Sequence, residues 1–264
     1  MKIGFIGAGK MAEAMIAGLL RAGIAAPGDV VAADVDPLRR KLLAQRYRVR
    51  CVEENREVIR QASVIVLAVK PQVLEEVLTP LQRLLGPRHL VISIAAGKSL
   101  AFLEKLLPRA RVGRVMPNIA CLVSEAMSAY ALGRRATRGD GAQVERILSA
   151  CGQVRALPEK HFDAVTALSG SGPAFFAYVL EQWVEGAVQE GLSRADAAVL
   201  AVQTMRGTAC YLQQTGQSPR ELMDAVTSAK GTTAAGRQVL ETPALRNALI
   251  QTIRAAARRS RELS

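Results

Sequence analysis

Long apolar runs are missing from this 264-residue sequence. A helical bilayer span needs roughly 18 or more consecutive apolar residues. None occurs, so no membrane partner is expected. Histidine is nearly absent: His89 and His161 are the only two. Neither has a neighbour that suggests a zinc site or a Ser-His-Asp triad, so metal and hydrolase chemistry fit poorly and no metal ligand is expected. The four cysteines, Cys51, Cys121, Cys151 and Cys210, lie far apart with no CxxC pair. That spacing speaks against a metal cluster or a redox dithiol. Aromatics make up only 4% of the chain. Acidic residues are outnumbered by basic ones, 23 to 35, which leaves a net charge of +12. The basic residues are scattered, clustering only at 38–50 and 254–261, and are not interleaved with aromatics. A solvated surface that attracts small anions accounts for this better than a nucleic-acid track, and no nucleic-acid partner is expected. Met1 to Ile6 reads as a strand entering a glycine turn, without the basic head and apolar core of a secretory signal. A cytoplasmic protein is the expectation.

What is present is a change of rhythm. Half of the residues are hydrophobic. Up to about residue 157 they gather in short runs, Ile3–Ile6, Val30–Ala33, Val64–Val69, Leu90–Ile94, Val112–Met116 and Met127–Ala131, separated by helical stretches. Strands alternating with helices predict βαβ units and a mostly parallel sheet. The uninterrupted apolar runs suit strands buried on both faces. Past residue 160 the spacing becomes helical: Phe175, Val179, Leu180, Val184 and Val188 form one stripe. Leu200, Met205, Tyr211 and Leu212 belong to another helical stretch. The fold expected is an α/β Rossmann-type dinucleotide-binding domain over 1–157, followed by an all-α domain over 158–264. The tail Arg258 to Ser264 is expected to fray.

Gly7-Ala8-Gly9-Lys10-Met11-Ala12 follows the first strand and opens an amphipathic helix. In that context a GxGxxA turn is a strong dinucleotide signal, because each position has a mechanical task. Gly7 allows the tight turn, Gly9 lets a pyrophosphate reach the backbone, and Ala12 lets the helix pack on the sheet. Free N–H groups at the helix start then face the phosphates. Ala8, Lys10 and Met11 complete this cofactor-binding segment. Asp34 ends the second strand, where an acid accepts hydrogen bonds from the adenosine ribose and repels a 2′-phosphate. Arg39 and Arg40 follow closely and are able to offset that repulsion. The cofactor is therefore NADPH or NADH, with Asp34 leaning to NADH. Ala68-Val69-Lys70-Pro71 lies at a strand end facing the same crevice, with Lys70 placed to hold a phosphate or the nicotinamide ribose. An alternative is that Lys-Pro merely starts the next helix.

Four segments carry a resemblance. They are Val69-Lys70-Pro71-Gln72, Arg114-Val115-Met116-Pro117-Asn118, the stretch Ala164 to Ala174 with its Ser169-Gly170-Ser171-Gly172-Pro173 turn, and Asp224 to Thr233. In this order and spacing the chain resembles the Δ1-pyrroline-5-carboxylate reductases over essentially its whole length. The resemblance implies a helical dimerisation domain, a homodimer and often a larger ring of dimers. It implies reduction of the cyclic imine Δ1-pyrroline-5-carboxylate to L-proline by hydride from a reduced nicotinamide. It also implies that Ser228, Gly231, Thr232 and Thr233 hold the substrate carboxylate. Thr233 would hydrogen-bond the ring nitrogen and relay its proton, and Val226 would pack on the ring. Met116, Pro117 and Asn118 would line the far side of the crevice, Asn118 near the nicotinamide ribose or amide.

The chemistry of the residues agrees. A protonated imine is already a good electrophile, so the site must mainly orient two reactants and exclude water. Hydroxyls and backbone N–H groups are compact donors for a small carboxylate. The chain departs from the family where Ala229-Lys230 replaces Pro-Gly, where Ile119-Ala120 follows Asn118, and at Lys10. Lys230 brings a cation next to the expected carboxylate site. A β-hydroxyacid dehydrogenase shares the plan but places a lysine on the first long helix of the second domain, and Ser171 to Gln189 contains none. Reduction of another cyclic imine and a non-catalytic dinucleotide sensor are the remaining alternatives.

Overall fold

Ile3–Ile6 (β1), Val30–Ala33 (β2), Arg50–Val52 (β3), Val64–Leu67 (β4), Leu90–Ser93 (β5), Arg111–Met116 (β6), Ala126–Leu132 (β7) and Gly152–Ala156 (β8) form one sheet in the computed structural model, which describes residues 1–263. The strand order is β3-β2-β1-β4-β5-β6-β7-β8. Every neighbouring pair is parallel except β6 with β7, which run antiparallel. The first six strands have the order of the doubly wound dinucleotide fold, with the topological switch between β1 and β4.

The uninterrupted apolar runs have a simple cause. Side chains alternate across a strand, and here both sides are covered. Ile3, Phe5, Val64, Val66, Leu90 and Ile92 join a core on one face. Ile6, Ile65, Leu67, Val31, Ala33 and Val91 join a second core on the other. Each such side chain contributes roughly 1.5–3 kcal/mol by leaving water. Gly4 keeps the second face close to its helix layer, since a Cβ there would lie 2.3 Å from Val58 Cγ1.

Helices α1 (Lys10–Arg21), α2 (Pro37–Tyr47), α3 (Asn55–Gln61), α4 (Leu74–Leu78), α5 (Leu100–Leu106) and α6 (Arg138–Ser149) follow their strands, and α7 (Phe162–Val165) follows β8. Their starts are written in the sequence. Asp36 caps α2 ahead of Pro37, Ser99 caps α5, and Thr137 with Asp140 forms a capping box on α6. The two edge strands, β3 and β8, are additions to the six runs read from the sequence.

The remaining helices are α8 (Gly172–Gln189), α9 (Arg194–Thr215), α10 (Pro219–Ala225), α11 (Thr232–Leu240) and α12 (Pro243–Glu262). The chain divides into two compact units: Met1–Ser171 with the segment from Ala256 onward, and Gly172–Ala255. The end of the strands near residue 157 is thus not the end of the first unit. Phe162 is buried in its core, and the buried Arg114 of β6 pairs with Glu159 at 2.7 Å and lies over the Phe162 ring. The C-terminal tail is helical as far as Glu262 and not frayed. Its Ala257 and Ser260 are buried, and Ser260 donates to the Asp163 carboxylate at 2.7 Å; Ser264 lies outside the described residues.

In the second unit α8 packs on α9, and Arg194 at the start of α9 bonds Glu181 and Glu185 of α8. Few side chains here are buried. The α8 stripe read from the sequence, Phe175, Val179, Leu180, Val184 and Val188, is buried or half-buried, while Phe176, Tyr178, Trp183, Val199, Leu200 and Val202 are exposed, so α8 and α9 each leave apolar residues uncovered in a single chain. Among the described residues no helix is long and apolar enough to cross a membrane.

Candidate active site

The C-terminal ends of β1, β2, β4, β5 and β6 define a candidate site in the first unit. Gly7 follows β1 with φ +94°, a conformation that L side chains rarely adopt, and a Cβ there would come within 2.8 Å of the Ala68 carbonyl oxygen. Glycine is required at this position on both counts. Gly9 is the N-cap of α1 and offers no side-chain cap, so the first-turn N–H groups are left for a ligand. The position of its absent Cβ is open space. Lys10 is exposed beside it, while Ala8 and Ala12 are buried. An uncapped twelve-residue helix behind a bare glycine cradle fits a dinucleotide pyrophosphate.

Asp34 sits where the sequence places it, directly after β2, and its carboxylate is aimed at the glycine turn. Oδ2 accepts from the Ala8 N–H at 2.7 Å and Oδ1 from the Asp36 N–H at 2.9 Å. The two arginines beyond it are occupied. Arg39 donates to the Ala8 carbonyl at 2.7 and 2.9 Å and to Glu13 at 2.7 Å. Arg40 donates to the Asp34 and Val35 carbonyls and to Glu53. Glu13 is the hub of this cluster. Burial raises its pKa, but hydrogen bonds from Arg39 and Tyr47 and the charges of Arg39 and Arg46 outweigh that and hold it below the ordinary carboxylate value. Sequence reading did not include Glu13, although an acid on the first turn of α1 is a visible signal.

A cleft of about 320 Å³ lies against Met11, Ala68, Val69, Lys70, Pro71, Ile94–Ala96, Met116 and Pro117. The structure therefore brings together the glycine-turn helix, the Ala68–Pro71 strand end and the Met-Pro segment. The end of β5, Ile94 to Ala96, was not among the expected residues. Small apolar residues carry no chemical signature, and only the strand order reveals their place between β4 and β6.

Asn118 follows β6, but its side chain is already engaged. Oδ1 accepts from the Ala120 N–H at 3.2 Å, and Nδ2 donates to the Ser169 carbonyl at 3.2 Å. Ser169 lies in a π-helical turn, Thr166–Gly170, and its hydroxyl donates to the Met127 carbonyl at 3.0 Å. Met116 Cε packs directly on Gly170, 2.4 Å from where a Cβ would stand. The Ser-Gly-Ser-Gly turn is thus tied to β6 and β7 by side chains, and π turns of this kind are frequent at functional sites.

In the second unit the Asp224–Thr233 stretch spans the end of α10, a loop, and the start of α11. Gly231 is the N-cap of α11 and has no side chain to cap it, so the amides of Thr232 and Thr233 open the helix unpaired. Val226, Ser228, Lys230, Thr232 and Thr233 are all exposed. A Cβ on Gly231 would fall 2.3 Å from Ser228 Oγ, so the Ser228 hydroxyl would have to move. Lys230 stands in the left-handed region at φ +64°. Arg237, four residues beyond Thr233, was not anticipated. It bonds the Thr227 hydroxyl at 3.0 Å, the Met223 carbonyl, Asp224 and Glu241.

The family profile described as pyrroline-5-carboxylate reductase dimerisation matches residues 159–263, and one described as NADP oxidoreductase, coenzyme F420-dependent, matches residues 2–97. The pyrroline-5-carboxylate reductase of Methanosarcina acetivorans is 46% identical over 263 residues, covering 99% of this chain and 97% of its own. The solved pyrroline-5-carboxylate reductase of Coxiella burnetii superposes with a TM-score of 0.95 at 33% identity, covering 100% of this chain and 98% of that one. The Plasmodium falciparum pyrroline carboxylate reductase, solved with NADP bound, superposes at 0.88 with 29% identity and covers 100% and 98%. The chain belongs to the pyrroline-5-carboxylate reductase family.

Proposed function

We propose that the protein reduces Δ1-pyrroline-5-carboxylate to L-proline, with the dinucleotide on the first unit and the Val226–Thr233 loop holding the imine. The observation that carries this reading is family membership along the whole chain together with an intact Ser228, Gly231, Thr232, Thr233 set at an uncapped helix start. The reduced nicotinamide, when bound, supplies the hydride and its two electrons. Gly7, Gly9 and the opening amides of α1 hold the pyrophosphate, with Lys10 as a nearby counter-charge. Ala68 to Pro71 and Met11 wall the cleft on the nicotinamide side. Asn118 acts by holding Ser169 in place.

The imine carboxylate accepts from the Thr232 and Thr233 amides and from Ser228, where the helix start is positive. Lys230 adds a cation at the loop's edge. Val226 covers the ring. The imine carbon takes the hydride and the ring nitrogen takes a proton, yielding the secondary amine; the Thr233 hydroxyl is placed on that nitrogen as the relay. No strong acid is required, so the work is orientation and exclusion of water.

NADH is the preferred cofactor in this reading. Asp34 presents a carboxylate where a 2′-phosphate would lie, and Arg39 and Arg40 are committed to Glu13, Glu53 and backbone carbonyls. The exposed apolar residues of α8 and α9, Phe176, Tyr178, Trp183, Val199, Leu200 and Val202, support a homodimer, from which a ring of dimers can grow. A cytoplasmic location accords with four free thiols. The purified protein, given reduced cofactor and Δ1-pyrroline-5-carboxylate, should form L-proline mole for mole with cofactor oxidised. Cofactor binding without proline would reduce the reading to a dinucleotide-binding protein.

A further inference from the structure

We propose that Arg237 is the positioning residue of the substrate loop, a role that rests on reading Val226–Thr233 as the imine site. The loop itself is weakly braced. Its one backbone hydrogen bond closed within residues 226–231 runs from the Gly231 N–H to the Ser228 carbonyl at 3.1 Å. Lys230 holds a left-handed conformation, and Ser228 and Lys230 are exposed. Its shape therefore depends on what fixes its two ends. The helix-end backbone bonds hold Val226 and Thr227 to α10, and Arg237 is the side chain that ties that end to α11. It grows from α11, one turn beyond Thr233 and so on the same side of that helix. Its guanidinium reaches back to the end of α10. Nη1 donates to Thr227 Oγ1 at 3.0 Å, to Asp224 Oδ1 at 3.2 Å and to the Met223 carbonyl at 3.3 Å. Nε and Nη2 donate to Glu241 Oε1 at 3.0 and 2.8 Å, which holds the fork in plane.

The neutral acceptors decide the role. Exposed ion pairs contribute little stability, and Asp224 and Glu241 are both exposed. Thr227 is different, because its hydroxyl donates to the Met223 carbonyl and accepts from Arg237. Both of its hydrogen-bonding directions are set. Thr227 immediately precedes Ser228, so fixing it fixes the point from which Ser228 enters the loop. Thr233 is fixed from the other side by α11. One planar fork thus sets the span between the two hydroxyls that flank the site. Two carboxylates balance its charge, so Arg237 orders the loop and does not itself bind the anion. Lysine, a point donor, cannot reproduce the fork.

The test is steady-state kinetics of Arg237→Leu, Arg237→Lys and Thr227→Val in the full-length protein, with Ser228→Ala as reference. Arg237→Leu should raise the KM for the imine about tenfold, the loss of one well-made contact. The KM for the reduced cofactor should stay unchanged, and Arg237→Lys should recover only part of the loss. Thr227→Val keeps the shape and replaces the hydroxyl by a methyl group. It should shift the imine KM in the same direction, and it decides the matter if Arg237→Leu does not fold. If Ser228→Ala raises the imine KM while Arg237→Leu or Thr227→Val only lowers the melting temperature, the positioning role is overturned. If Ser228→Ala leaves the imine KM unmoved, the loop reading fails and this inference fails with it.

Discussion

Asp34 Oδ2 and the Ala8 N–H lie 2.7 Å apart, so the acid that ends β2 is fastened to the glycine turn that follows β1. The contact joins the ends of the neighbouring strands β1 and β2. It fixes the carboxylate against the turn while its other oxygen accepts from Asp36. An acid held this way is a preset negative charge with no rotamer left to lose.

Replacing Asp34 by Asn keeps the side-chain size and one acceptor oxygen but removes the charge. The ratio of kcat/KM for NADH over NADPH should fall about tenfold, equivalent to ~1.4 kcal/mol, chiefly through a lower KM for NADPH. Steady-state kinetics with each cofactor reads it. An unchanged ratio would mean that Asp34 serves only the turn.

Gly7→Ala puts a Cβ 2.8 Å from the Ala68 carbonyl oxygen at a backbone φ of +94°. Both effects are unfavourable and the neighbour is main chain, so the protein should lose on the order of 1–3 kcal/mol. Reduced-cofactor affinity should fall with it. Thermal unfolding and cofactor titration by fluorescence check the two effects separately.

Lys230→Gly tests the departure from the family at the loop. A non-glycine residue in the left-handed region costs about 1–2 kcal/mol, part of which glycine returns as lost chain entropy. The variant should melt no lower than the parent and up to a few degrees higher. The KM for the imine should rise, since the cation beside the carboxylate is gone. A fall in KM would show that Lys230 hinders the site.

His89 gives the fold an acid limit. It is buried, its Nδ1 accepts from the Gly86 N–H at 3.0 Å, and Nε2 is therefore the donor to the Ile59 carbonyl at 3.2 Å. Burial is the largest cause of a pKa below the ordinary 6.5, and the charges of Arg88 and Arg111 act in the same direction. The unfolded chain then binds the proton more readily than the folded one. This stabilisation is complete above pH 6.5 and is lost as pH falls from there through the lowered folded value. Melting temperature measured from pH 7.5 to 5 should decline, and His89→Gln should flatten that part of the decline.

The strands of the sheet's centre were legible because both of their faces are buried, which forces unbroken runs such as Val64–Leu67. The edge strands were not. Arg50–Val52 has one buried residue and Gly152–Ala156 has none, so neither carries the apolar signal. The glycine turn could be read because Gly7 meets constraints that only glycine satisfies, and because Gly9 leaves the start of α1 bare. Ile94 to Ala96 escaped notice because they contribute backbone and small side chains to the cleft. Arg237 was invisible for another reason: its partners lie 10 to 14 residues earlier across a loop, and surface arginines are common. The unit boundary moved past the last strand because Arg114, Glu159 and Phe162 hold the following segment to the sheet.

The central claim is tested most directly by steady-state oxidation of NADH and of NADPH, measured separately, when Δ1-pyrroline-5-carboxylate is added to the purified protein. The account predicts turnover with L-proline as product and a clear preference for NADH. Turnover that favours NADPH would contradict the role given to Asp34 while leaving the reaction in place. No turnover with either cofactor, although both bind, would contradict the assignment of the imine substrate itself.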